Sequence, residues 1–132
     1  MGGGKILGII QVHKTKATDE GRQRQAALLA MTAFSELKHV FLVDEDVDPF
    51  SLNDVMWAMT TRYQADVDTI FLPGTRYHRN DPSAAVRYSA TVGADGAACK
   101  AIFDCTVPFE MKERFRRPEF LELNVRDYFP EL

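Results

Sequence analysis

Five acidic residues lie close together near the middle of the sequence, with no basic residue among them: Asp44, Glu45, Asp46, Asp48 and Asp54. They follow His39–Val43, a short apolar run that is typical of a buried strand. Carboxylates at the end of a strand can hold Mg²⁺ or Mn²⁺. Alternatively, these acids solvate a loop, cap the next helix and pair with Arg62, Arg76 or Arg79.

Motif comparisons narrow the chemistry of this acidic run. An apolar strand followed by D-x-D resembles the metal-nucleotide site of many glycosyltransferases, so that class is one hypothesis. An EF-hand is excluded, because Pro49 stands where the loop needs Gly and Val55 where it needs a bidentate Glu. The sequence contains no G-x-S-x-G, H-E-x-x-H or P-loop motif, which excludes the hydrolases, zincins and NTPases that depend on them.

The histidines are the other candidates for chemistry. His78 lies in a polar loop with arginines on either side, where an imidazole can hydrogen-bond a phenol or a carboxylate. His13 follows the first apolar run and is a second candidate. His39 precedes a buried strand, so we expect it to be structural.

Hydrophobic periodicity predicts the elements that position these residues. Three apolar runs alternate with two helical patterns, and Ser51 is placed to cap the second helix, which runs to about Tyr63. This order predicts an α/β fold: a three-layer β-α-β-α-β core with a mostly parallel sheet. Ligands of such sheets bind beyond the carboxyl ends of the strands, where we therefore expect His78. The predicted strands are Lys5–Val12, His39–Val43 and Val67–Leu72, the last closing at Pro73-Gly74, and the first helix is Asp19–Leu37, with Arg22, Arg24 and Lys38 in solvent.

The last third of the chain predicts an extra strand and helix. Lys100–Cys105 reads as a strand of unknown direction, and Phe109–Arg117 is a short amphipathic segment. Between Phe109 and Phe129 the chain carries more large apolar side chains than a small core is expected to cover. We therefore expect a homo-oligomer.

Length and composition limit the classes of protein. The chain of 132 residues, with a formal net charge of −3 and no basic stripe, predicts one domain and no nucleic-acid partner. No apolar run reaches the roughly 20 residues needed to span a membrane, so we expect no membrane partner and a cytoplasmic protein. Cys99 and Cys105 are expected to be buried free thiols.

Leu37–Arg62, read as LKHVFLVDEDVDPFSLNDVMWAMTTR, resembles the C-terminal domain of the UbiD-type decarboxylases. The same register continues through DVDTIFLPG (66–74) and DPS (81–83), and upstream through IIQV (9–12) and EGRQRQAALLA (20–30). The segment AIFDCTVPFEMKERFRRPEF (101–120) is most similar to the branch that acts on gallate and protocatechuate. The resemblance covers nearly the whole chain.

This resemblance implies reversible, non-oxidative decarboxylation of a hydroxylated aromatic acid, with prenylated FMN, a divalent metal (Mn²⁺ or Mg²⁺) and K⁺ in the complete enzyme. In the family, an upstream domain with an E-G-P-x-G-E stretch holds these groups and the catalytic residues. We therefore expect this chain to hold no catalytic, cofactor or metal residue and to be inactive alone. The flavin-binding domain is then supplied in cis or in trans.

The resemblance also implies two substrate-binding residues. In the hydroxybenzoate branch, a histidine in the loop before D-P-S faces the ring hydroxyls, and His78 takes that position here. Lys5 is a second candidate for the same pocket, although it opens the first strand and is expected to need the preceding glycines as a hinge. The alternative function is a noncatalytic module that only self-associates.

Overall fold

The computed structural model describes residues 5–76, 78–84, 97–118 and 128–129. These residues form one four-stranded sheet with helices on both faces. The strands are β1 (Leu7–Val12), β2 (His39–Asp44), β3 (Thr69–Arg76) and β4 (Ala97–Asp104), and the helices are α1 (Arg22–Ala33), α2 (Leu52–Arg62) and the single turn α3 (Ala65–Asp68). The predicted α/β class and three-layer order are confirmed.

The strand order in the sheet is β1-β2-β4-β3. Strands β1, β2 and β4 are parallel, whereas β3 pairs with β4 in the antiparallel direction. The parallel direction expected for the third strand is therefore wrong, although the sheet is mostly parallel as predicted. The predicted extra strand, Lys100–Cys105, is part of β4 and lies inside the sheet between β2 and β3.

Strand β3 also runs further than predicted. It continues past Pro73-Gly74 to Arg76 through an irregularity between Leu72 and Thr75, where Gly74 has a φ of +70°. Proline lacks an amide hydrogen and is tolerated in a strand only at a sheet edge or a bulge, and β3 is an edge strand with both features. Because β3 is longer and antiparallel, its end at Arg76 pairs with Ala97 at the start of β4.

Each face of the sheet has its own buried cluster. Helix α1 contributes Ala27 and Met31, which pack against Val40, Leu42 and Ile102. Alternate residues of the same strands point to the other face, as the pleat requires. There they pack with the side chains of α2; this second cluster is Val43, Val47, Val55, Ala58 and Cys105, flanked by Phe41, Trp57 and Phe103.

Helix α1 is shorter than the predicted Asp19–Leu37. Gly21, at φ +89°, separates it from a 3₁₀ turn at Ala17–Asp19, and the carboxylate of Asp19 accepts hydrogen bonds from Thr15 and the amide of Lys16. At the other end the chain leaves the helix after Ala33 and forms a turn in which the Leu37 amide donates to the carbonyl of Phe34. Ser35 and Glu36 lie in this turn.

The predicted C-terminal helix is a 3₁₀ segment, Phe109–Phe115. Of the tail, residues 119–127 lie outside the described residues, and Tyr128 and Phe129 are exposed. No helix in the described ranges is long and apolar enough to cross a membrane.

The two cysteines differ in their surroundings. Cys105 is fully buried, as expected, but Cys99 is exposed, so that part of the prediction is wrong. Burial and the neighbouring carboxylate of Asp104 raise the pKa of the Cys105 thiol to about 12. Because the thiolate is the reactive form, only Cys99 is available to a thiol reagent in the folded protein.

We therefore expect one thiol per chain to react with a chromogenic disulfide reagent at neutral pH under native conditions, and the second to react only after unfolding in denaturant. The substitution Cys99→Ser should remove the fast phase and leave the slow one. Two equivalents of fast reaction would contradict the burial of Cys105.

Candidate functional site

A polar pocket of about 300 Å³ lies at the edge of the sheet where the parallel strands begin. We call it the amino-edge pocket; the residues that line it are Ser35, Glu36, Arg76, His78, Arg79 and Asn80. It forms because antiparallel β3 ends at this edge, next to the turn that connects α1 to β2. His78 was expected at the opposite, carboxyl edge, and that placement is wrong because it assumed a parallel third strand.

Glu36 brings the two predicted substrate-binding residues together. Its Oε1 lies 3.6 Å from Nε2 of His78, and its Oε2 lies 3.8 Å from Nζ of Lys5. The His78 side chain is 18% exposed, whereas that of Lys5 is 71% exposed. Lys5 therefore lies beside a residue that lines the amino-edge pocket, whereas the glycines expected to act as a hinge lie outside the described residues.

The turn that carries Glu36 is held on two sides. The buried Lys100 donates from Nζ to the carbonyl oxygen of Ser35 at 2.6 Å, and burial lowers the pKa of this lysine. The amides of Lys38 and His39 both donate to the carbonyl of Ile6, at 2.8 and 3.1 Å. These bonds fix Glu36 next to the start of β1, and so next to Lys5.

The loop that carries His78 is held by a second ion pair. Nζ of Lys38 lies 2.6 Å from Oδ2 of Asp81, and it also contacts the Ser83 hydroxyl. Asp81 is only 6% exposed. Burial alone would raise the pKa of this carboxyl, but the Lys38 ammonium and the hydrogen bonds from Ser83 outweigh it and hold the pKa below its ordinary value. Lys38 was expected in solvent, and that prediction is wrong.

The ring nitrogens of His78 have different partners. The Asn80 amide donates to Nδ1 at 3.0 Å, so Nδ1 carries no proton in this arrangement. The proton of the neutral ring is then on Nε2, which faces Glu36. His78 thus presents an N–H donor to the pocket.

The acidic run lies at the opposite edge of the sheet, beside a cleft of about 470 Å³. Arg62 is buried there, within 3.2 Å of Asp44 and 2.8 Å of Asp46. Hydrogen bonds to Arg62 outweigh burial and lower the pKa of Asp46, whereas burial dominates at Asp44 and raises its pKa. Ser51 caps α2 by accepting from the Asp54 amide at 3.3 Å. Pairing and capping therefore occupy these acids, as one of the two sequence interpretations held.

Several details of that interpretation differ in the structure. Arg76 and Arg79 line the amino-edge pocket and are not near the acidic run. Their place is taken by Arg117, which pairs with Asp54 at 2.9 Å and lies over the ring of Trp57, as Arg62 also does. Across the described part of the chain, no group of three or more His, Cys, Asp and Glu side chains is arranged to hold a metal ion.

A buried polar network at this edge was not predicted. Nζ of Lys14 donates to the Thr106 hydroxyl at 3.2 Å and to the Val107 carbonyl, and it pairs with Glu20. The buried Asp104 accepts from Arg24 at 2.7 Å, although Arg24 was expected in solvent. These contacts join the ends of β1 and β4 to α1, which is a structural role.

The remaining histidines lie outside the amino-edge pocket. His13 is mostly exposed at the carboxyl edge, with Nδ1 3.3 Å from Glu45. His39 packs beside the ring of Phe103, and burial lowers its pKa, which fits the structural role expected for it. Of the three histidines, His78 is the one that lines the amino-edge pocket. Sequence patterns alone do not mark Glu36, Lys38 or Lys100, because single charged residues next to strand ends are common.

Comparisons with known proteins agree with this fold and connect it to one class of enzyme, the UbiD-class decarboxylases. Gallate decarboxylase from Lactiplantibacillus plantarum is 52% identical over 123 residues. The apo structure of 3,4-dihydroxybenzoic acid decarboxylase from Enterobacter cloacae superposes with a TM-score of 0.84 at 54% identity over 98% of the chain. The UbiD-class enzyme HmfF from Pelotomaculum thermopropionicum, solved in complex with FMN, superposes over 96% of the chain with a TM-score of 0.73 at 30% identity.

The sequence pattern described as the 3-octaprenyl-4-hydroxybenzoate carboxy-lyase C-terminal domain matches residues 1–105, so the chain belongs to this UbiD C-terminal family. The alignment with gallate decarboxylase covers 92% of this chain but 25% of that enzyme. The superposition on the Enterobacter enzyme covers 27% of that enzyme. The chain thus spans about a quarter of the length of these relatives. The resemblance stated from the sequence is confirmed.

The Lys38–Asp81 pair leads to a prediction about pH. A carboxyl whose pKa is lower in the folded than in the unfolded state stabilises the fold above its unfolded pKa, and this contribution disappears as the pH falls through the folded value. We expect Asp81→Asn to lower the free energy of unfolding by about 1–3 kcal/mol at pH 7, because it leaves Lys38 unpaired. The difference from the parent protein should shrink below about pH 4.

Urea denaturation at several pH values measures this difference. Asp66→Asn is the matched control, since Asp66 is exposed and the same substitution there should change stability by less than about 0.5 kcal/mol at any pH. A loss at Asp81 that is independent of pH would show that the ion pair with Lys38 is not its cause.

Proposed function

We propose that this chain forms the substrate side of a decarboxylase that acts reversibly and without net oxidation on hydroxylated aromatic acids such as gallate or protocatechuate. The observation that carries the proposal is the meeting of Lys5 and His78, distant in sequence, at the two oxygens of Glu36. Two relatives support the substrate class, since one is a gallate decarboxylase and the other a 3,4-dihydroxybenzoic acid decarboxylase.

The chemistry of decarboxylation explains why donors are useful at this pocket. The bond between the ring carbon and the carboxylate breaks, CO₂ leaves, and a proton replaces it on the ring carbon. Once the ring carbon has taken up its proton and become tetrahedral, the electron pair of the breaking bond can pass into the ring and raise the negative charge on the oxygens of conjugated hydroxyl groups. An N–H donor such as Nε2 of His78, placed on such an oxygen, stabilises that charge more in the transition state than in the ground state.

The cofactors belong to the proposal for the complete enzyme. HmfF is an FMN-bound relative, and we extend this to prenylated FMN, a divalent metal and K⁺ held by the rest of the protein, in cis or in trans. Neither α1 nor α2 begins with a glycine-rich turn of the kind that cradles a nucleotide phosphate, so the described residues do not fit the flavin. We therefore assign no flavin or metal contact to this chain and propose that it is inactive alone.

His78 gives the direct test. In the complete enzyme, His78→Ala should lower kcat/KM for a hydroxylated benzoate by about ten- to a hundredfold, the range expected for one hydrogen bond to a developing charge. A substrate analogue without the ring hydroxyl should lose much less. Steady-state kinetics with both compounds measure the effect.

His13→Ala is the matched control, because it removes the same side chain from the opposite edge of the sheet. It should change kcat/KM by less than about twofold. If His78→Ala folds and assembles normally yet handles both compounds as the parent does, the substrate-side assignment is wrong.

We further propose a homo-oligomer in the cytoplasm, as the sequence analysis predicted. Large apolar side chains on the described surface support assembly: Phe50 and Leu52, beside the start of α2, are 97% and 64% exposed. Light scattering at micromolar concentration should give a mass well above the 14.9 kDa of one chain. A clean monomer would contradict the proposal, and so would an oligomer that dissociates in 1 M salt, since salt weakens contacts between charges and does not weaken apolar ones.

A further inference from the structure

Glu36 is the one anionic side chain among the six described residues that line the amino-edge pocket. Arg76, Arg79 and the Nε2–H of His78 are donors, and Lys5 adds an ammonium group at the rim. The Glu36 carboxylate is a hydrogen-bond acceptor among these donors. Its role therefore depends on which group donates a hydrogen bond to it.

One oxygen of this carboxylate is not satisfied by the described residues. Oε2 is buried and accepts no hydrogen bond from them, because the ammonium of Lys5, at 3.8 Å, is beyond hydrogen-bond distance. Oε1 is 3.6 Å from His78, which is also too long for a hydrogen bond. The Glu36 side chain is 38% exposed, so its carboxylate is open to a donor that enters the pocket, and a hydrogen bond to this charged acceptor stabilises the donor there.

The position of this carboxylate is fixed before any ligand arrives. Lys100 holds the carbonyl of Ser35, the residue before Glu36, and the chain after it is bonded to Ile6. A group held in this way by buried contacts needs little rearrangement to bind. The carboxylate is thus a built feature of the pocket.

A phenolic hydroxyl matches the pair formed by Glu36 and His78. Its O–H can donate to the carboxylate while its oxygen accepts from Nε2–H, and two hydrogen bonds of ordinary length can reach atoms 3.6 Å apart. A methyl ether can accept from His78 but has no hydrogen to give to Glu36. The pair therefore distinguishes a free hydroxyl from its ether, which a histidine alone does not.

We propose that Glu36 is a substrate-binding residue that accepts a hydrogen bond from a ring hydroxyl and makes the pocket select free phenols over their methyl ethers. This inference rests on the proposed function, because it places the same aromatic ring in the amino-edge pocket. It adds Glu36 to the proposed substrate-binding residues and predicts that the pocket prefers a free hydroxyl to a methyl ether. Because recognition through a hydroxyl donor is lost when the donor is absent, selectivity should be strong.

The test uses the complete enzyme and two ligands that do not react, catechol and 1,2-dimethoxybenzene. Titration calorimetry should show that Glu36→Ala weakens the binding of catechol by about ten- to a hundredfold and that of the diether by less than about twofold. Glu36→Gln retains a neutral acceptor and should give an intermediate loss for catechol. The same order should appear in kcat/KM for 3,4-dihydroxybenzoate.

Two controls separate binding from structure. Glu110→Ala and Glu110→Gln change an exposed glutamate of the C-terminal 3₁₀ segment and should leave both ligands unaffected. Thermal unfolding checks that each variant folds. If Glu36→Ala does not fold, the binding test is made with Glu36→Gln, which keeps the shape of the side chain.

The possible results distinguish a failure of the role of Glu36 from a failure of the proposed function. Equal losses for catechol and the diether, or no loss for either in Glu36→Gln and Glu36→Ala, would overturn the role of Glu36. If His78→Ala keeps its effect in any of these cases, the proposed function stands without Glu36; if His78→Ala is also silent, both are wrong.

Discussion

The antiparallel pairing of β3 with β4 is the constraint on which the candidate site depends. Strands β1, β2 and β4 begin at one edge of the sheet, and only a strand that runs against them can end there. This direction places the residues after Arg76 beside the turn that precedes β2. With a parallel β3, His78 and Glu36 would lie at opposite edges. The direction of one edge strand thus decides which side chains can meet.

Two lysines complete this arrangement, Lys100, which is buried, and Lys38, which is partly buried. Lys38 and Lys100 lie within or next to central strands, where a charge is costly unless it is paired or hydrogen-bonded. Each uses its ammonium group to fix a separate segment. Lys38 holds the loop that carries His78, and Lys100 holds the turn that carries Glu36. The carboxyl edge shows the contrasting case, because most of its charged groups pair with one another around Arg62 and Lys14. At the amino edge the Glu36 carboxylate accepts no hydrogen bond from the described residues, which is why we propose that edge as the site for a ligand.

Sequence patterns were sufficient for the elements and for the family, and insufficient for the site. Periodicity located three strands and two helices, since each buries a face with its own repeat. It could not give the direction of β3, which is set by its partner β4 far along the chain, and it stopped the strand at Pro73 because edge position is not visible locally. The acidic run attracted attention by composition alone, yet Arg62 and the cap of α2 account for most of it. His78 came from its polar loop as well as from the resemblance, and Lys5 from the resemblance alone, whereas Glu36 carries no pattern at all.

We propose that the ring hydroxyls of the substrate lie at the amino edge of this sheet. A crystal structure of the complete enzyme with bound catechol shows directly whether they do. We expect a catechol oxygen within about 3.2 Å of Nε2 of His78, and an occupied amino-edge pocket in every protomer. Catechol bound beside Arg62 in the carboxyl-edge cleft, or with both hydroxyls away from the loop that carries His78, would contradict it.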